Sequence, residues 1–364
     1  MRTRSSAAAF ATTTTKRRAT TSATSARKRA TLTAALALSP APVDDHLFSL
    51  GDLLVRGAFV CRPSLRNKSP YVGDVRLGCG RVAIAHMPSM DMGGKCVADA
   101  EVLLKTSVNA KTGKPIGCDA VGKFGTPKCE FSLQLLRCVE PENMNLTGGG
   151  GCWVGAHPSI GEKVANSLLH KGRLLEDLGG VPIAKIEREV SGVGGTDMRC
   201  DFLITHTDGT KTVLEVKTVV DTDYDPRSAP DRAGCVFLGK GVPYERAAIF
   251  PWGKSNQQGP DGEKVVSARA IKHVRELTSL ARGEKRDLDS GATINAAVLF
   301  VVVRRDAITF RANEEACPSF ARYLREARSA GVRVIARRIR WGEAESEELG
   351  TAIDDGSLQV TGLD

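Results

Sequence analysis

Between Asp201 and Lys217 the sequence sets an aspartate, a glutamate and a lysine into two otherwise apolar runs, Arg199-Cys200-Asp201-Phe202-Leu203-Ile204 and Val213-Leu214-Glu215-Val216-Lys217-Thr218. Carboxylates in such runs need a reason, because burying one is costly unless it is paired or bound to a cation. Two hard carboxylate oxygens, with an exposed backbone carbonyl such as that of Val216, form a donor set for Mg²⁺ or Mn²⁺. A cation there would polarise a phosphate oxygen and lower the pKa of a bound water. Lys217 could position that water or stabilise a pentavalent phosphorane. Asp201, Glu215 and Lys217 are thus a minimal apparatus for phosphodiester hydrolysis. The bland alternative is a solvated face with an ordinary Glu–Lys pair, since the bare pattern arises often by chance.

The elements that must hold these residues are also legible. The two runs flank Thr207-Asp208-Gly209 and read as a β-hairpin. Alternation along a strand puts Glu215 and Lys217 on one face and Val216 on the other. Register decides whether Asp201 joins them. A two-residue Asp208-Gly209 loop turns Asp201 to the wrong face, whereas a three-residue loop with Gly209 left-handed pairs His206 with Thr210 and sets Asp201 opposite Glu215. The odd register, or an equivalent bulge, is therefore expected. On the strand candidate at 183–190, Glu189 is placed as a further ligand or an ion-pair partner. Arg269 and His273, four residues apart on a helix, share a face and are candidate phosphate contacts, as is Arg199.

Around this site the texture of the chain changes once. From Phe48 to about Val139 short apolar runs alternate with Gly, Pro and Asn, as in a small all-β barrel or sandwich. Asn145 to Gly151 is a glycine-rich joint. Beyond it, helices are expected near 159–171, 265–281 and 319–330, the first with Ser159 and Glu162 as a capping box. Strands are expected near 183–190, 199–205, 212–220, 296–303 and 332–340. That order implies a mixed sheet flanked by helices. Residues 221–262, rich in Gly and Pro, read as an insertion or flap. The expected division is a segment at 1–43, a barrel at 44–145, an α/β domain at 146–345 and a tail at 346–364.

Bulk properties exclude some classes and displace one tempting argument. A hydrophobic share of 41% with 26% charged residues describes an ordinary globular chain, and no apolar run is long enough for a membrane helix. The net charge of +9 invites a nucleic-acid reading. Eight Lys or Arg and no Asp or Glu fall within residues 1–43, however, so the remainder holds 43 basic against 42 acidic residues. The segment at 1–43 is rich in Ala, Ser, Thr and Arg, the composition of an organelle transit peptide, chloroplast or alternatively mitochondrial. Ten cysteines without a C-x-x-C pair argue against a zinc knuckle or a secreted disulfide scaffold.

Beyond these readings, the chain resembles the sugar fermentation stimulation protein A family from about Gly51 to Arg340. The resemblance rests on Gly149-Gly150-Gly151-Cys152-Trp153-Val154-Gly155, Arg188-Glu189-Val190, Asp201-Phe202-Leu203 and Leu214-Glu215-Val216-Lys217-Thr218-Val219. Ile249-Phe250-Pro251, Ala268-Arg269 with His273, and Val298-Leu299-Phe300-Val301-Val302 extend it. It implies an oligonucleotide-binding (OB) barrel followed by a PD-(D/E)xK, restriction-endonuclease-like domain, with Asp201, Glu215 and Lys217 at the catalytic positions. It also implies DNA as partner. Two departures stand out: Pro88-Ser89-Met90-Asp91 replaces the family's Pro-Asn-Thr-Gly, and His157-Pro158 follows the Trp-Val-Gly run where Asn-Thr is typical. Two functions follow from the sequence: a Mg²⁺-dependent nuclease, or a DNA-binding regulator that uses the same cleft without cleaving.

Overall fold

The computed structural model describes residues 45–51, 54–90, 92–146, 150–227, 243–343 and 347–363. The segment expected to carry targeting information and the middle of the 221–262 insertion lie outside the described residues. Strand β1 (His46–Ser49) precedes the barrel in sequence but pairs with none of its strands. The barrel comprises β2 (Leu54–Cys61), β3 (Val72–Leu77), β4 (Val82–His86), β5 (Glu101–Thr106) and β6 (Phe131–Cys138). Their order is β4-β3-β2-β5-β6, and a parallel pairing of Ala85 with Phe131 closes β6 onto β4. An antiparallel arrangement closed in this way is the topology of an OB barrel, which removes both sheet edges. Inward residues such as Val75, Ala83, Val102, Leu104, Leu133 and Leu135 are fully buried and fill it.

The glycine-rich joint is not the end of the barrel. Strand β7 (Cys152–Gly155) follows the joint yet pairs antiparallel with β6, Cys138 facing Cys152. Gly155 is where this strand touches the second domain: its N–H donates to the Val303 carbonyl at 2.9 Å. A Cβ at Gly155 would sit 2.9 Å from the Val303 side chain, so only glycine allows that approach.

The expected α-β-β-β-α-β-α-β succession is present. It runs α1 (Ser159–His170), β8 (Ile183–Ser191), β9 (Arg199–His206) and β10 (Lys211–Val219), then short strands β11 (Asp221–Thr222), β12 (Ala247–Phe250), β13 (Gln257–Gln258) and β14 (Lys264–Val265). It continues through α2 (Ala268–Ala281), β15 (Ile294–Val302), β16 (Thr309–Ala312), α3 (Pro318–Ser329), β17 (Arg333–Trp341), β18 (Thr351–Ser357) and β19 (Gln359–Thr361). A seven-stranded mixed sheet has the order β1-β18-β17-β15-β10-β9-β8. The residues expected to form a tail therefore supply two strands, and the first strand of the chain is recruited by β18 to the α/β sheet. Both pairings join residues far apart in sequence, where hydrophobic period carries no information about partners. A second sheet, β11-β12-β16-β19, pairs Asp221–Thr222 at the start of the 221–262 insertion with Ala247–Phe250 within it.

Helix α1 does not use the expected capping box. Its N-cap is Pro158, with no side-chain cap from Ser159. The His157 imidazole Nδ1 instead accepts the Ser159 N–H at 3.3 Å. Burial holds His157 below its usual pKa, which favours the neutral ring that can accept.

Helix α1 covers one face of the sheet, while α2 and α3 cover the other. From Ala296 onward strand β15 is apolar because both of its faces are buried. Ala297, Leu299 and Val301 pack with α1, in a core that runs on into the barrel interior. Ala296, Val298, Phe300 and Val302 pack with α2 and α3. The two domains thus share a hydrophobic core.

Candidate metal and phosphate site

The hairpin that carries the acids has the odd register. His206 N–H donates to the Thr210 carbonyl at 2.8 Å, and Gly209, with φ +85°, donates its N–H to the His206 carbonyl at 3.0 Å. The Asp208 carboxylate accepts from the Thr210 N–H at 2.9 Å and stiffens the turn. The pairs Lys211/Thr205 through Leu214/Phe202 follow, and the next step sets Glu215 opposite Asp201 on the face beneath α2. The ladder stops there. The Val216 N–H donates to the Asp201 carboxylate at 2.6 Å. The two strands thus end their pairing where the two carboxylates meet.

Glu215 is almost fully buried, and its two oxygens fare differently. Oε1 accepts from the Lys217 ammonium and from His273 Nδ1, the latter at 2.5 Å. Oε2 is buried without a hydrogen-bond partner. Because a carboxylate can only accept, Nδ1 of His273 carries the proton in this contact. Burial acts to raise the Glu215 pKa, but the bonds from His273 and Lys217 outweigh it and hold the carboxyl below its ordinary range. Asp201 moves the other way. Burial and then the charge of Glu215 push it up to about 6, against the Val216 N–H and the Lys217 charge. Two carboxylates share one lysine here, and the second is left under-compensated.

The other expected residues are placed less centrally. Glu189 lies in register with Asp201, between the pairs Arg188/Phe202 and Val190/Cys200, but adopts φ +55°. Its half-exposed carboxylate lies 3.5 Å from Arg199, so it is an ion-pair partner at the rim and is not gathered with the central acids. Arg269 is exposed on α2. His273 was expected to meet phosphate, yet it is buried and engages Glu215. Among the described residues, no group of three or more His, Cys, Asp or Glu side chains is placed to hold a metal. The hard oxygens of Asp201 and Glu215, one of them unpartnered, still suit a divalent cation.

A groove of about 1110 Å³ is lined by His273 and Arg199, though not by Asp201, Glu215 or Lys217 themselves. Four acids, Asp197, Glu276, Glu284 and Glu326, line it beside five basic side chains, Arg199, Arg269, Lys272, Arg275 and Arg282. Four of the basic residues lie on α2 or at its C-terminal end, and the spacing of 269, 272 and 275 keeps them on one helical face. That spacing was readable in the sequence but was passed over for the Arg269/His273 pair. The contact between His273 and Glu215 had no sequence signal, since 58 residues separate them.

Fold and site together define a class: an OB-type barrel fused to a mixed-sheet domain bearing a carboxylate pair and a lysine near a groove of mixed charge. A family model described as "Sugar fermentation stimulation protein RE domain" matches residues 260–345. The sugar fermentation stimulation protein homolog of Acaryochloris marina is 25% identical over 290 residues, covering 79% of this chain and 90% of that protein. The homolog of Syntrophotalea carbinolica is 27% identical over 277 residues, covering 76% and 87%. The structure of Pyrococcus furiosus SfsA in complex with Ca²⁺ covers 87% of this chain and 99% of that one, with a TM-score of 0.54 and 20% identity. Over most of its length the chain is thus similar to the sugar fermentation stimulation proteins.

Proposed function

We propose that this protein binds DNA and hydrolyses its phosphodiester bonds with a divalent cation, Mg²⁺ or Mn²⁺, held by Asp201 and Glu215. The carrying observation is the buried, unpartnered Oε2 of Glu215 facing an Asp201 whose pKa is raised to about 6. Such a pair is short of positive charge, and a cation supplies it. The family relative from Pyrococcus furiosus was solved with Ca²⁺, likewise a hard divalent cation. A bound cation of this kind polarises a phosphate oxygen and activates a water. The rest falls to the chain. His273 fixes the carboxylate plane of Glu215, and Lys217 brings an ammonium to the charge that develops on phosphorus-bound oxygens. Arg269, exposed on α2, lines the groove with Arg199 and Lys272, which are ion-paired to Glu189 and Asp197, and these three offer contacts to a phosphate backbone. By the composition of residues 1–43, this activity resides in the chloroplast, with the mitochondrion as the alternative.

The test is incubation of the full-length protein with single- and double-stranded DNA, with Mg²⁺, Mn²⁺ or EDTA. Metal-dependent cleavage that disappears in Lys217→Ala supports the reading. A second reading, a DNA-binding regulator that does not cleave, draws on the lack of a third metal-ligating side chain among the described residues. Salt-sensitive binding without cleavage, unchanged in Lys217→Ala, would select it.

A further inference from the structure

The connection between β5 and β6, residues 107–129, belongs neither to the carboxylate site nor to the barrel's core. It holds four lysines, Lys111, Lys114, Lys123 and Lys128, against one acid, Asp119. It folds as two successive tight turns, bridged at Val108/Pro115 and Val121/Pro127. Asn109 N–H donates to the Lys114 carbonyl and Gly122 N–H to the Thr126 carbonyl, each at 2.8 Å. All four lysines are exposed. The Lys123 ammonium lies 5.6 Å from the centroid of the Phe124 ring, and that ring is 88% exposed at the tip of the second turn. Of the barrel's other phenylalanines, Phe59 and Phe131 are buried in its core. Phe124 is therefore displayed where packing has no use for it.

We propose that this arm binds single-stranded DNA, with Phe124 stacking on an unpaired base and the lysines meeting the flanking phosphates. The excess of three positive charges complements a polyanion. An aromatic ring beside cations is how strands are held without regard to sequence, since every base offers a π-face. The arm joins the fourth and fifth strands of the barrel, and by analogy of fold this is one of the connections through which OB barrels take oligonucleotides. An acidic protein segment would satisfy the lysines but leave the planar ring without a stacking partner. The proposal rests on the DNA reading above but assigns it a surface of its own.

Full-length Phe124→Trp reports on stacking directly. Its added indole emission should be quenched by an oligothymidine of about 15 nucleotides in EDTA and not by a blunt duplex. Phe124→Ala should weaken single-strand binding by about fivefold to a hundredfold. Replacing the four lysines by alanine should reduce the slope of log K against log salt by up to about 0.7 per lysine. An unquenched signal in Phe124→Trp with unchanged affinity in Phe124→Ala overturns the proposal, as does equal quenching by polyglutamate. Failure of the arm is separable from failure of the nuclease reading. In the first case wild type and Phe124→Ala bind alike whether or not the protein cleaves. In the second, cleavage is absent while the arm's signal persists.

Discussion

Two of the buried charge clusters among the described residues are compensated in opposite ways. Where the barrel meets the α/β domain, Glu140 lies between Arg246 and Arg304, its Oε2 accepting from the Arg304 guanidinium at 3.1 Å. Both guanidinium groups also bind Asp306, to which the Asn143 amide donates at 3.0 Å. Burial would raise the carboxyls of Glu140 and Asp306, but the arginine charges dominate and hold both far below the ordinary range. At the hairpin, two acids share one lysine, and one of them titrates near 6. Two acids matched by two arginines make a joint between domains; two acids left with one lysine invite a cation. An unsatisfied oxygen alone does not distinguish them. Asp221 also has one, but a Cβ on Gly93 would sit 2.7 Å from it, so that oxygen is walled in by backbone.

The sharpest break of this contrast is chemical. Lys217→Ala should lower the proposed cleavage rate by about 10²–10³-fold, far more than any loss of stability accounts for. Arg304→Met should do the reverse. It leaves Glu140 and Asp306 buried with less counter-charge and should cost about 3–5 kcal/mol, read by denaturant unfolding.

Protons and cations should then separate the clusters further. The folded pKa of Asp201 lies above its unfolded value, so its stabilising contribution is present at low pH and is lost as pH rises through about 6. Asp201→Asn should accordingly melt a few degrees higher than wild type at pH 8 and lose that advantage near pH 4. Glu140 and Asp306, with depressed pKa values, contribute stability that persists until the pH falls well below the usual carboxylate range. Mn²⁺ at a hundred times its dissociation constant should stabilise wild type by about 2.7 kcal/mol, with the effect fading below pH 6 and absent in Asp201→Asn. The smallest effect is expected at the turn. Gly209→Ala, at φ +85°, should cost about 1 kcal/mol and reduce cleavage only through the register it disturbs.

Much of this was legible beforehand, for identifiable reasons. The helix and strand succession from Ser159 to Trp341 follows from hydrophobic period, and β15 from an unbroken apolar run. The register of the β9–β10 hairpin followed from turn chemistry: Gly209 supplies the left-handed residue that an odd loop requires. Local signals misled where several partners could serve one need. Ser159 and Glu162 had the spacing of a capping box, yet the His157 ring does that work. The glycine run before Cys152 looked like a domain boundary, yet β7 still pairs with the barrel.

By itself, then, the sequence determined which residues could do chemistry and that the hairpin would bring Asp201 opposite Glu215. Those are local matters, set by residue type, alternation and one turn. The tertiary structure alone decided how charged each acid is. His273 reaches Glu215 from a helix 58 residues away, Glu189 turns aside to Arg199, and burial without a second cation raises Asp201. Charge compensation is a sum over neighbours brought together by packing, and no spacing along the chain records it.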